Sequence, residues 1–531
     1  MGIPSADHPQ SRFDDLYSVV YALIDDAKTR YRVVKLYKGS HGSPDPHPVV
    51  CDYGKFFAAR GRGVLGYVCD RARPGPDRYR VADLDAFDHC ACPRVGTRGV
   101  FELLARTGRR TGETPDEYLT YVATRRHRLG GYRGGSTGFD DESRAFAAAY
   151  FRQLGLAVGP GDVLVFCGGF KGALICACAA VMMARRHDEL RRHGGRVLAP
   201  VGYYQSLRLI PTIFGGTIDV VADLDGETVS GWLAGTRGGG GRIVYVPLVN
   251  NVDGRVLTRD RAGSIADAVA DHNQRYPGER VWVVADDVYA GSYLRAGVTG
   301  QPIGALPGTS ECTITVVTPS KTVALPTARV AFATTTNPGM RAALAHYRTV
   351  FSFGRVPQAG ELPGVAALCL TPQTWIEHWN AEYARRLALL TVGLDRINTE
   401  LGTEVYRIDP PQGGWYFALR IARDLFPPVT SGVHAGVVLC NYGQGRRDTG
   451  VAMLPGELFG YGLRSSRPGG WLTLRGTLAV SPGDLLSCVQ RLRDVARLLR
   501  DPHGPSVVAQ ALCRARAVIP DLDRVVTRRR Y

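Results

Sequence analysis

Between residues 140 and 333 the sequence alternates short apolar runs with helical stretches, and this pattern constrains the fold more than any other feature. The runs are rich in β-branched residues and are bounded by turn residues: VLVFC (163–167), RVLAP (196–200), RIVYVPL (242–248), VWVVADD (281–287) and TITVVT (313–318). Runs that are apolar on both faces and are separated by helices are typical of a parallel sheet covered on both sides. The pattern therefore predicts an α/β fold with a large, mostly parallel sheet.

The pattern changes after residue 347, where an amphipathic helix (375–401) precedes two strand-like runs, YFALRI (416–421) and WLTLRGTLAV (471–480), and a leucine-rich helix at 484–501. This order indicates a smaller α+β domain. Five regions follow from the boundaries: an N-terminal arm (1–60), an insertion (61–130), a large domain (131–346), a small C-terminal domain (347–500) and a C-terminal extension (501–531). A chain of 531 residues is long enough for two domains.

Composition narrows the class of protein. The N-terminal segment has no basic region followed by an apolar run, and the longest apolar stretch (173–184) is too short to span a bilayer. Without a secretion signal, the 12 cysteines are expected to be reduced thiols in a cytoplasmic protein. The net charge is +16, but the basic residues are scattered, which argues against nucleic-acid binding and favours anionic small molecules.

The predicted insertion contains His89, Cys90 and Cys92, with Cys51 and Cys69 upstream. No pair of cysteines has the spacing that a zinc site usually needs, so we predict buried free thiols and no metal. The segment 100–128 has a basic helical pattern. It could cover an active site or bind an additional substrate.

Three segments carry residue types suited to pyridoxal 5′-phosphate (PLP), which has an aldehyde, a phosphate and a pyridine ring. Lys321 follows the run 313–318, where an amine could hold the aldehyde as a Schiff base. Asp286 lies at the end of a strand-like run, where a carboxylate could pair with the pyridine nitrogen. The turn CGGFKGAL (167–174) precedes a helix, and main-chain amides of Gly169, Phe170 and Lys171 could bind the phosphate.

Other residues could complete the cofactor site. Tyr289 and Asn251 are candidates for the phenolic oxygen of the cofactor, although NNVDG also suits a simple turn and Asn250 is an alternative. Tyr203 could stack on one face of the ring, with Tyr204 as the alternative, and Val288 could pack on the other face. These positions complete the predicted surroundings of the ring.

Hydroxyl and guanidinium groups occur near the predicted lysine and in the second domain. Thr318 and Ser320 precede Lys321, and Arg329 follows it by eight residues. Arg475 lies in a strand-like run of the small domain, where a guanidinium could bind the α-carboxylate of a substrate through two hydrogen bonds. A surface ion pair is the alternative for Arg475.

In this order, the segments resemble the class I/II aminotransferases, which belong to fold type I of the PLP enzymes and include aminocyclopropane-carboxylate synthases. The resemblance also covers LYKGSHGSPDPHP (36–48), GGYRGGSTGFDDESRAF (130–146), PQGGWYF (411–417) and LPGELFG (454–460). It implies an aspartate aminotransferase-like fold and a homodimer with active sites at the subunit interface. Gly42 is then a substrate-binding residue, and Tyr132 reaches the phosphate of the neighbouring subunit.

The chain departs from this family at three places. Val252 replaces the proline that usually follows the asparagine, and LPTAR (325–329) stands where the family usually has Gly-Pro-Gly-x-Arg. The stretch between Pro48 and Tyr132 is some tens of residues longer than the family normally needs. Departures of this kind are typical of specialised, secondary-metabolite enzymes.

Two reaction classes follow from the resemblance, with transamination of an amino acid favoured. The alternative is β/γ-elimination, replacement or carbon–carbon bond formation (annulation) with S-adenosylmethionine (SAM) and an anionic acceptor such as NAD. The segment ADDVYAGSYL (285–294) resembles aminocyclopropane-carboxylate synthases, which act on SAM.

A different class of protein, the aminotransferase-like transcription regulators, carries a winged-helix domain before the enzyme-like part. Because the Gly-x-Pro-Asp-like segment already occurs at 42–45, we do not expect such a domain.

Overall fold

A computed structural model describes residues 16–30, 33–36, 141–183, 195–238, 240–353, 364, 367–368, 371, 373–425, 429, 431–442, 450–462, 470–520 and 522–523. Gly42, Tyr132 and the insertion 61–130, with its His89, Cys90 and Cys92, lie outside these residues. Within the described ranges, no helix is both long and apolar enough to cross a membrane. No cluster of potential metal ligands occurs in them either.

The described chain begins with α1 (Leu16–Arg30), β1 (Val34–Lys35) and α2 (Asp141–Gln153). Seven strands follow, with one helix between each of the first five. The order is β2 (Val163–Cys167), α3 (Phe170–Met182), β3 (Arg196–Pro200), α4 (Ile210–Ile213), β4 (Thr217–Val221), α5 (Gly226–Gly235), β5 (Arg242–Pro247), α6 (Arg259–Arg275), β6 (Val281–Asp286), β7 (Thr313–Val317), β8 (Val330–Thr334) and α7 (Pro338–Val350).

These seven strands form one sheet in the order β2-β8-β7-β6-β5-β3-β4. All neighbours are parallel except β8, which is antiparallel to both β2 and β7. The predicted α/β fold with a mostly parallel sheet is therefore confirmed. The sequence patterns did not identify β4, whose residues are only half-buried at the sheet edge, or the short β8.

Both faces of the large sheet are covered, as the apolar runs predict. On β5, Ile243 and Tyr245 face a core formed with α3 and α7, whereas Val244 and Val246 face a core formed with α5 and α6. Successive side chains of a strand point to opposite faces, so a run that is apolar at every position needs two covers. The parallel strands therefore end at a common edge between two helical layers.

The C-terminal region contains α8 (Gln373–Leu401), β9 (Tyr406–Ile408), β10 (Tyr416–Ala422), α9 (Gly432–Asn441), β11 (Val451–Ala452), β12 (Leu454–Pro455), β13 (Trp471–Thr477), α10 (Pro482–Arg500) and α11 (Gly504–Val518). Strands β12, β13, β10 and β9 form an antiparallel sheet in that order. Strand β1 pairs with β11, and α1 packs against α9 and α11. Residues 16–36 are thereby attached to this region.

The strand register gathers the ends of β5, β6 and β7. Asp286 lies opposite Pro247 on one side and Val316 on the other. Because the three strands are parallel, the segments that follow them leave the sheet at the same edge. These segments contain Asn251, Tyr289 and Lys321, the residues around which the site is built.

Candidate active site

Lys321 lies between the two sheets, surrounded by three aromatic rings. Its Nζ atom is 5.5 Å from the ring centroid of Tyr289, 5.8 Å from that of Trp415 and 5.7 Å from that of Tyr416. We call these three residues the aromatic cage. Tyr289 follows β6, whereas Trp415 and Tyr416 lie at the start of β10. The lysine on the large sheet is therefore enclosed partly by the small one.

Asp286 is buried at the end of β6 and is held by two donors. Its Oδ2 accepts a hydrogen bond from the Tyr245 hydroxyl, and the backbone N–H of Val288 also donates to the carboxylate. Burial raises the pKa of Asp286 to about 6, against the opposing effects of these hydrogen bonds and of the Lys321 charge. The carboxylate is therefore mostly ionised at neutral pH, and its buried Oδ1 has no hydrogen-bond partner.

The neighbouring carboxyl group of Asp287 is in a different state. Burial, and secondly the charge of Asp286, raise the pKa of Asp287 to about 8. A group with that pKa is mostly protonated at neutral pH, so only one of the two adjacent acids carries a charge. The negative charge of the site therefore resides on Asp286.

The structure separates the roles of Asn250 and Asn251. Asn250 is used in the loop: its Nδ2 donates to the Val201 carbonyl (2.7 Å), and its Oδ1 accepts from the backbone N–H of Val252 (3.0 Å). Asn251 instead faces Tyr289, whose hydroxyl donates to Asn251 Oδ1 (3.3 Å). The buried Nδ2 of Asn251 has no hydrogen-bond partner, so Asn251 has a donor available for a ligand.

The loop after β5 also positions the aromatic cage. Gly254 adopts a φ of +66°, and a Cβ atom there would lie 2.6 Å from the Gly413 carbonyl oxygen. The Gly254 carbonyl accepts hydrogen bonds from the backbone of Gln412 (3.0 Å) and Gly413 (2.9 Å). Only glycine permits this approach. The contact holds the segment that leads directly into Trp415 and Tyr416.

The Gly-rich turn after β2 ends in a helix N-terminus, as predicted. Gly168 and Gly169 have φ values of +84° and +67°. The first hydrogen bond within α3 is donated by Gly172 to the Gly169 carbonyl (3.0 Å). The amides of Phe170 and Lys171 precede it and are the free donors that a helix start presents to an anion.

Arg329 joins the segment after Lys321 to this turn. Its backbone carbonyl accepts from Gly169 N (2.9 Å), and its guanidinium donates to the Gly168 carbonyl (2.7 Å). Nearby, the hydroxyls of Thr318 and Ser320 are hydrogen-bonded to each other (2.8 Å). The predicted phosphate-binding residues therefore come from two segments that are bonded together.

Tyr203 and Tyr204 have different surroundings. Tyr203 is buried, and its ring lies 2.9 Å from where a Cβ atom on Gly460 would be. Tyr204 is half-buried, with its ring 5.5 Å from Phe170 in an edge-on arrangement. The backbone N–H of Tyr204 donates to the hydroxyl of Tyr245, the residue that binds Asp286. Tyr204 is thus linked to both the helix N-terminus and the carboxylate.

Arg475 lies within β13 and is almost fully buried, with 4% of its surface exposed, so it is not a surface ion pair. Its guanidinium carbon is 4.0 Å from the ring centroid of Tyr416 and 4.5 Å from that of Phe459. Two rings at these distances restrict the orientation of the guanidinium. Since Tyr416 also belongs to the aromatic cage, one ring separates Arg475 from Lys321.

The sequence profile of the aminotransferase class I and II family matches residues 123–492, more than half of the chain. This chain belongs to that family. Members of the family are PLP-dependent enzymes, and the chain is accordingly a PLP-dependent enzyme. Among curated proteins, none matches the sequence significantly.

Solved structures of the family share the fold. The aspartate aminotransferase of Rhizobium meliloti has a TM-score of 0.61 and 16% identity, over 93% of this chain and 99% of that one. The Thermus thermophilus aspartate aminotransferase with maleate gives 0.60 and 18%, over 90% and 95%. The aromatic aminotransferase of Pyrococcus horikoshii gives 0.57 and 20%, over 89% and 98%. At these identities the likeness is one of fold.

The residues of the site fit PLP. Two buried polar atoms without partners, Asp286 Oδ1 and Asn251 Nδ2, suit the pyridine N–H and the phenolic oxygen. The helix amides of Phe170 and Lys171 suit the phosphate, and the amine of Lys321 suits the aldehyde. Unpaired buried polar groups are costly in a folded protein. A ligand with complementary groups would remove that cost.

Sequence patterns alone do not identify two contributors to the site. Tyr245 lies inside β5 and has the pattern of an ordinary core residue, yet its hydroxyl binds Asp286. Tyr416 lies in the segment PQGGWYF, which carries no specific role for it, yet it contacts both Lys321 and Arg475. A polar aromatic residue within an otherwise apolar strand is the feature that could have identified Tyr245.

Proposed function

We propose that the enzyme is an aminotransferase that acts at the Cα of an amino acid with a free α-carboxylate, in specialised biosynthesis. The observation that carries this proposal is the position of Tyr416, whose ring is 5.7 Å from the Lys321 amine and 4.0 Å from the Arg475 guanidinium carbon. The carboxylate and the Cα proton of an amino acid are attached to the same carbon atom. Groups that bind the first and remove the second must therefore be close neighbours.

When bound, PLP supplies an electron sink for the bond that breaks at Cα. The Lys321 amine, which also holds the cofactor covalently, removes the Cα proton as a base and returns it as an acid. Arg475 binds the substrate carboxylate with two parallel hydrogen bonds. Its stacking between Tyr416 and Phe459 orients the substrate and limits its rotation.

The remaining residues hold the cofactor. Asp286 keeps a negative charge at the pyridine nitrogen, and Asn251 and Tyr289 hydrogen-bond the phenolic oxygen. The amides of Phe170 and Lys171 would bind the phosphate, with Thr318, Ser320 and Arg329 beside them, whereas the predicted N–H of Gly169 already donates to the Arg329 carbonyl (2.9 Å). Val288 would pack on one face of the cofactor ring. An aromatic residue would pack on the other face, and the contact of Tyr204 with Phe170 favours Tyr204 over Tyr203.

Further parts of the proposal rest on the family resemblance. We propose a homodimer in which Tyr132 of one subunit binds the phosphate held by the other, and in which Gly42 contacts the substrate. The predicted domain boundaries at 60, 130, 346 and 500 belong to the same proposal. The basic charge of the chain suits anionic ligands of this kind.

The second candidate is non-transaminating chemistry, namely elimination, replacement or annulation with SAM. The aromatic cage favours it, because three ring faces around one point attract cations, and SAM carries a sulfonium. An anionic acceptor such as NAD would then react with the carbon unit. The net charge of +16 is consistent with such an acceptor.

The role of Lys321 has a direct test. Purified protein is expected to absorb visible light, and borohydride should abolish the band and fix the cofactor to the peptide that contains Lys321. Lys321→Ala should lose both the band and the label, whereas Lys35→Ala, at an exposed lysine of β1, should keep both. A labelled Lys321→Ala protein would disprove the assignment.

The reaction class needs a product assay. The holoenzyme is incubated with a panel of amino acids and SAM, and the products are identified by mass spectrometry. A keto acid together with pyridoxamine phosphate supports transamination. Release of methylthioadenosine from SAM, without a keto acid, supports the second candidate and excludes the first for that substrate.

A further inference from the structure

Among the described residues of the site, Tyr416 is the one that contacts the Lys321 amine, the Arg475 guanidinium and Tyr289. It is the first residue of β10, opposite Thr477 of β13, and 4% of its surface is exposed. Its hydroxyl is hydrogen-bonded to the Lys321 amine and to the Tyr289 hydroxyl. A phenylalanine could provide the same stacking on Arg475, so stacking alone does not account for the hydroxyl.

The charges around Tyr416 favour its ionised form. Lys321 faces it from the segment after β7, Arg475 from β13 and Tyr289 from the turn after β6. Burial raises the pKa of Tyr416, but the two cations and the hydrogen bonds outweigh burial and lower that pKa below its usual value. The charge of Asp286 attracts that of Lys321 and raises the pKa of Tyr289.

Tyr289 responds in the opposite direction. Burial, and secondly the charge of Tyr416, raise the pKa of Tyr289 well above its usual value. Of two hydrogen-bonded phenols, the one with the lower pKa accepts and the other donates. Tyr289 therefore keeps its single proton, which it can donate either to Asn251 Oδ1 or to the Tyr416 oxygen, and Tyr416 is the phenol that can lose its proton.

We propose that Tyr416 is a second acid–base group of the active site, which exchanges a proton directly with the amine of Lys321. This inference rests on the proposed function of Lys321 as the base at Cα. After the amine has taken the Cα proton, an N–H bond of its ammonium breaks and an O–H bond forms on the Tyr416 phenolate. The reverse transfer restores the phenolate and the ammonium, and no electrons are gained or lost.

The exchange gives the amine two ways to proceed. An ammonium that keeps its proton can return it to the reacting molecule, as transamination requires. An ammonium that passes its proton to Tyr416 becomes a neutral amine again and can remove a second proton or act as a nucleophile. The aromatic cage thus contains a proton-holding group in addition to Lys321.

The first test uses full-length, cofactor-free protein and needs no substrate. Tyrosinate formation is followed by ultraviolet absorbance against pH in the wild type, in Tyr416→Phe and in Tyr406→Phe. Tyr406 is a matched control, because it is buried and its hydroxyl donates to the Leu492 carbonyl (3.0 Å), outside the site. We expect one tyrosine to ionise before the others in the wild type and in Tyr406→Phe, but not in Tyr416→Phe. An unchanged early titration in Tyr416→Phe would overturn the proposal.

The second test measures exchange of the Cα proton of a bound amino acid with deuterated water, by NMR, in the holoenzyme. General acid–base groups contribute about 100-fold or more to proton transfer, so Tyr416→Phe should slow exchange by at least ~10-fold while the KM for the amino acid changes little. Exchange at the wild-type rate would overturn the proposal. Fluorotyrosine at position 416, which keeps the ring and the hydroxyl, should move the pH profile of exchange to lower pH, and an unmoved profile counts against the proposal.

Failure of the proposed function is distinguishable from failure of this inference. If the proposed function is wrong, the wild-type holoenzyme itself shows no Cα exchange, yet the titration of cofactor-free protein still reports whether Tyr416 ionises first. If Lys321 is the base and Tyr416 is not involved, exchange persists in Tyr416→Phe at the wild-type rate.

Discussion

The large sheet supplies Asp286 from the end of a strand, and Asn251 and Lys321 from segments just after strands, whereas the small sheet supplies Tyr416 and Arg475 from positions within strands. In the first case, a common edge of parallel strands gathers the residues. In the second, antiparallel pairing of β10 with β13 places the two side chains on one surface. In the proposed function, the large sheet builds the cofactor site, and the small sheet builds the part that receives the substrate.

The two regions also differ in how charge is held. Asp286 sits among hydrogen-bond donors that lower its pKa against the effect of burial. Arg475 lies against two aromatic rings, those of Tyr416 and Phe459, which restrict its orientation. A carboxylate that must stay charged in a dry site needs hydrogen-bond donors, whereas a guanidinium is attracted by aromatic rings that carry no net charge.

The largest effect is expected on the large-sheet side, in Asp286→Asn. The substitution keeps the shape but removes the negative charge opposite the pyridine nitrogen. Breaking a buried charge pair costs about 3–5 kcal/mol, which corresponds to a loss of roughly 100-fold to a few thousand-fold in kcat/KM. Steady-state kinetics with a turned-over amino acid measures the loss.

The adjacent acid provides the control for that prediction. Because Asp287, with a pKa of about 8, is mostly protonated at neutral pH, Asp287→Asn removes little charge. We expect its kcat/KM to stay within a few-fold of the wild type. Equal losses in the two variants would mean that the loss in Asp286→Asn comes from changing a buried side chain and not from removing the charge of Asp286.

The residues proposed to hold the cofactor on the large sheet are largely found from the sequence, because short motifs follow each strand. Lys321, Asp286 and the turn at Gly169 can be chosen from the sequence alone, since each lies at or just after the end of an apolar run, whereas Asn251 is distinguished from Asn250 only by the contacts of the two side chains. The contribution of Tyr245 cannot be predicted in the same way. Its side chain reaches Asp286 across neighbouring strands, and a single sequence does not reveal strand order.

The small sheet is harder to interpret from sequence. The sequence predicts that Arg475 binds a carboxylate, but its stacking partners Tyr416 and Phe459 are 59 and 16 residues away in the chain. Their convergence depends on the pairing of β10 with β13 and on the packing of Gly254 against Gly413. Contacts of this range follow from tertiary packing and leave no periodic pattern.

A smaller effect, on the small-sheet side, is expected for Arg475→Lys. Lysine keeps the charge but loses the planar pair of donors and the stacking. Losing hydrogen bonds to a charged group costs about 2–3 kcal/mol, or roughly 30- to 150-fold in kcat/KM. The loss should vanish for an amine that lacks the α-carboxylate, and kinetics with both substrates tests this.

Arg420→Lys is the matched control for Arg475→Lys. Arg420 lies in the neighbouring strand β10, where it binds Asp409 (3.1 Å) and Thr473 (2.6 Å) and stacks on Tyr461. Its replacement should leave the preference for a carboxylate unchanged. If Arg420→Lys reduced that preference as much as Arg475→Lys, the small sheet would act through general packing and not through one guanidinium.

The smallest effect is expected for Tyr245→Phe, which tests whether the large sheet depends on a residue within a strand. The Tyr245 hydroxyl lowers the pKa of Asp286, which burial raises to about 6, so losing the hydroxyl should raise that pKa further. A smaller fraction of Asp286 is then ionised at any pH near 6, and acidification should weaken PLP binding at a higher pH than in the wild type. At neutral pH the cost is about 1.5 kcal/mol, or roughly 10-fold in affinity.

Titrating cofactor-free protein with PLP across pH measures this shift. Tyr442→Phe is the control, because the Tyr442 hydroxyl donates to the Arg491 carbonyl, away from the site. A coincident pH profile for wild type and Tyr245→Phe would mean that the backbone N–H of Val288 and the charge of Lys321 suffice to keep Asp286 ionised, and that the large sheet holds its charge entirely from its strand ends.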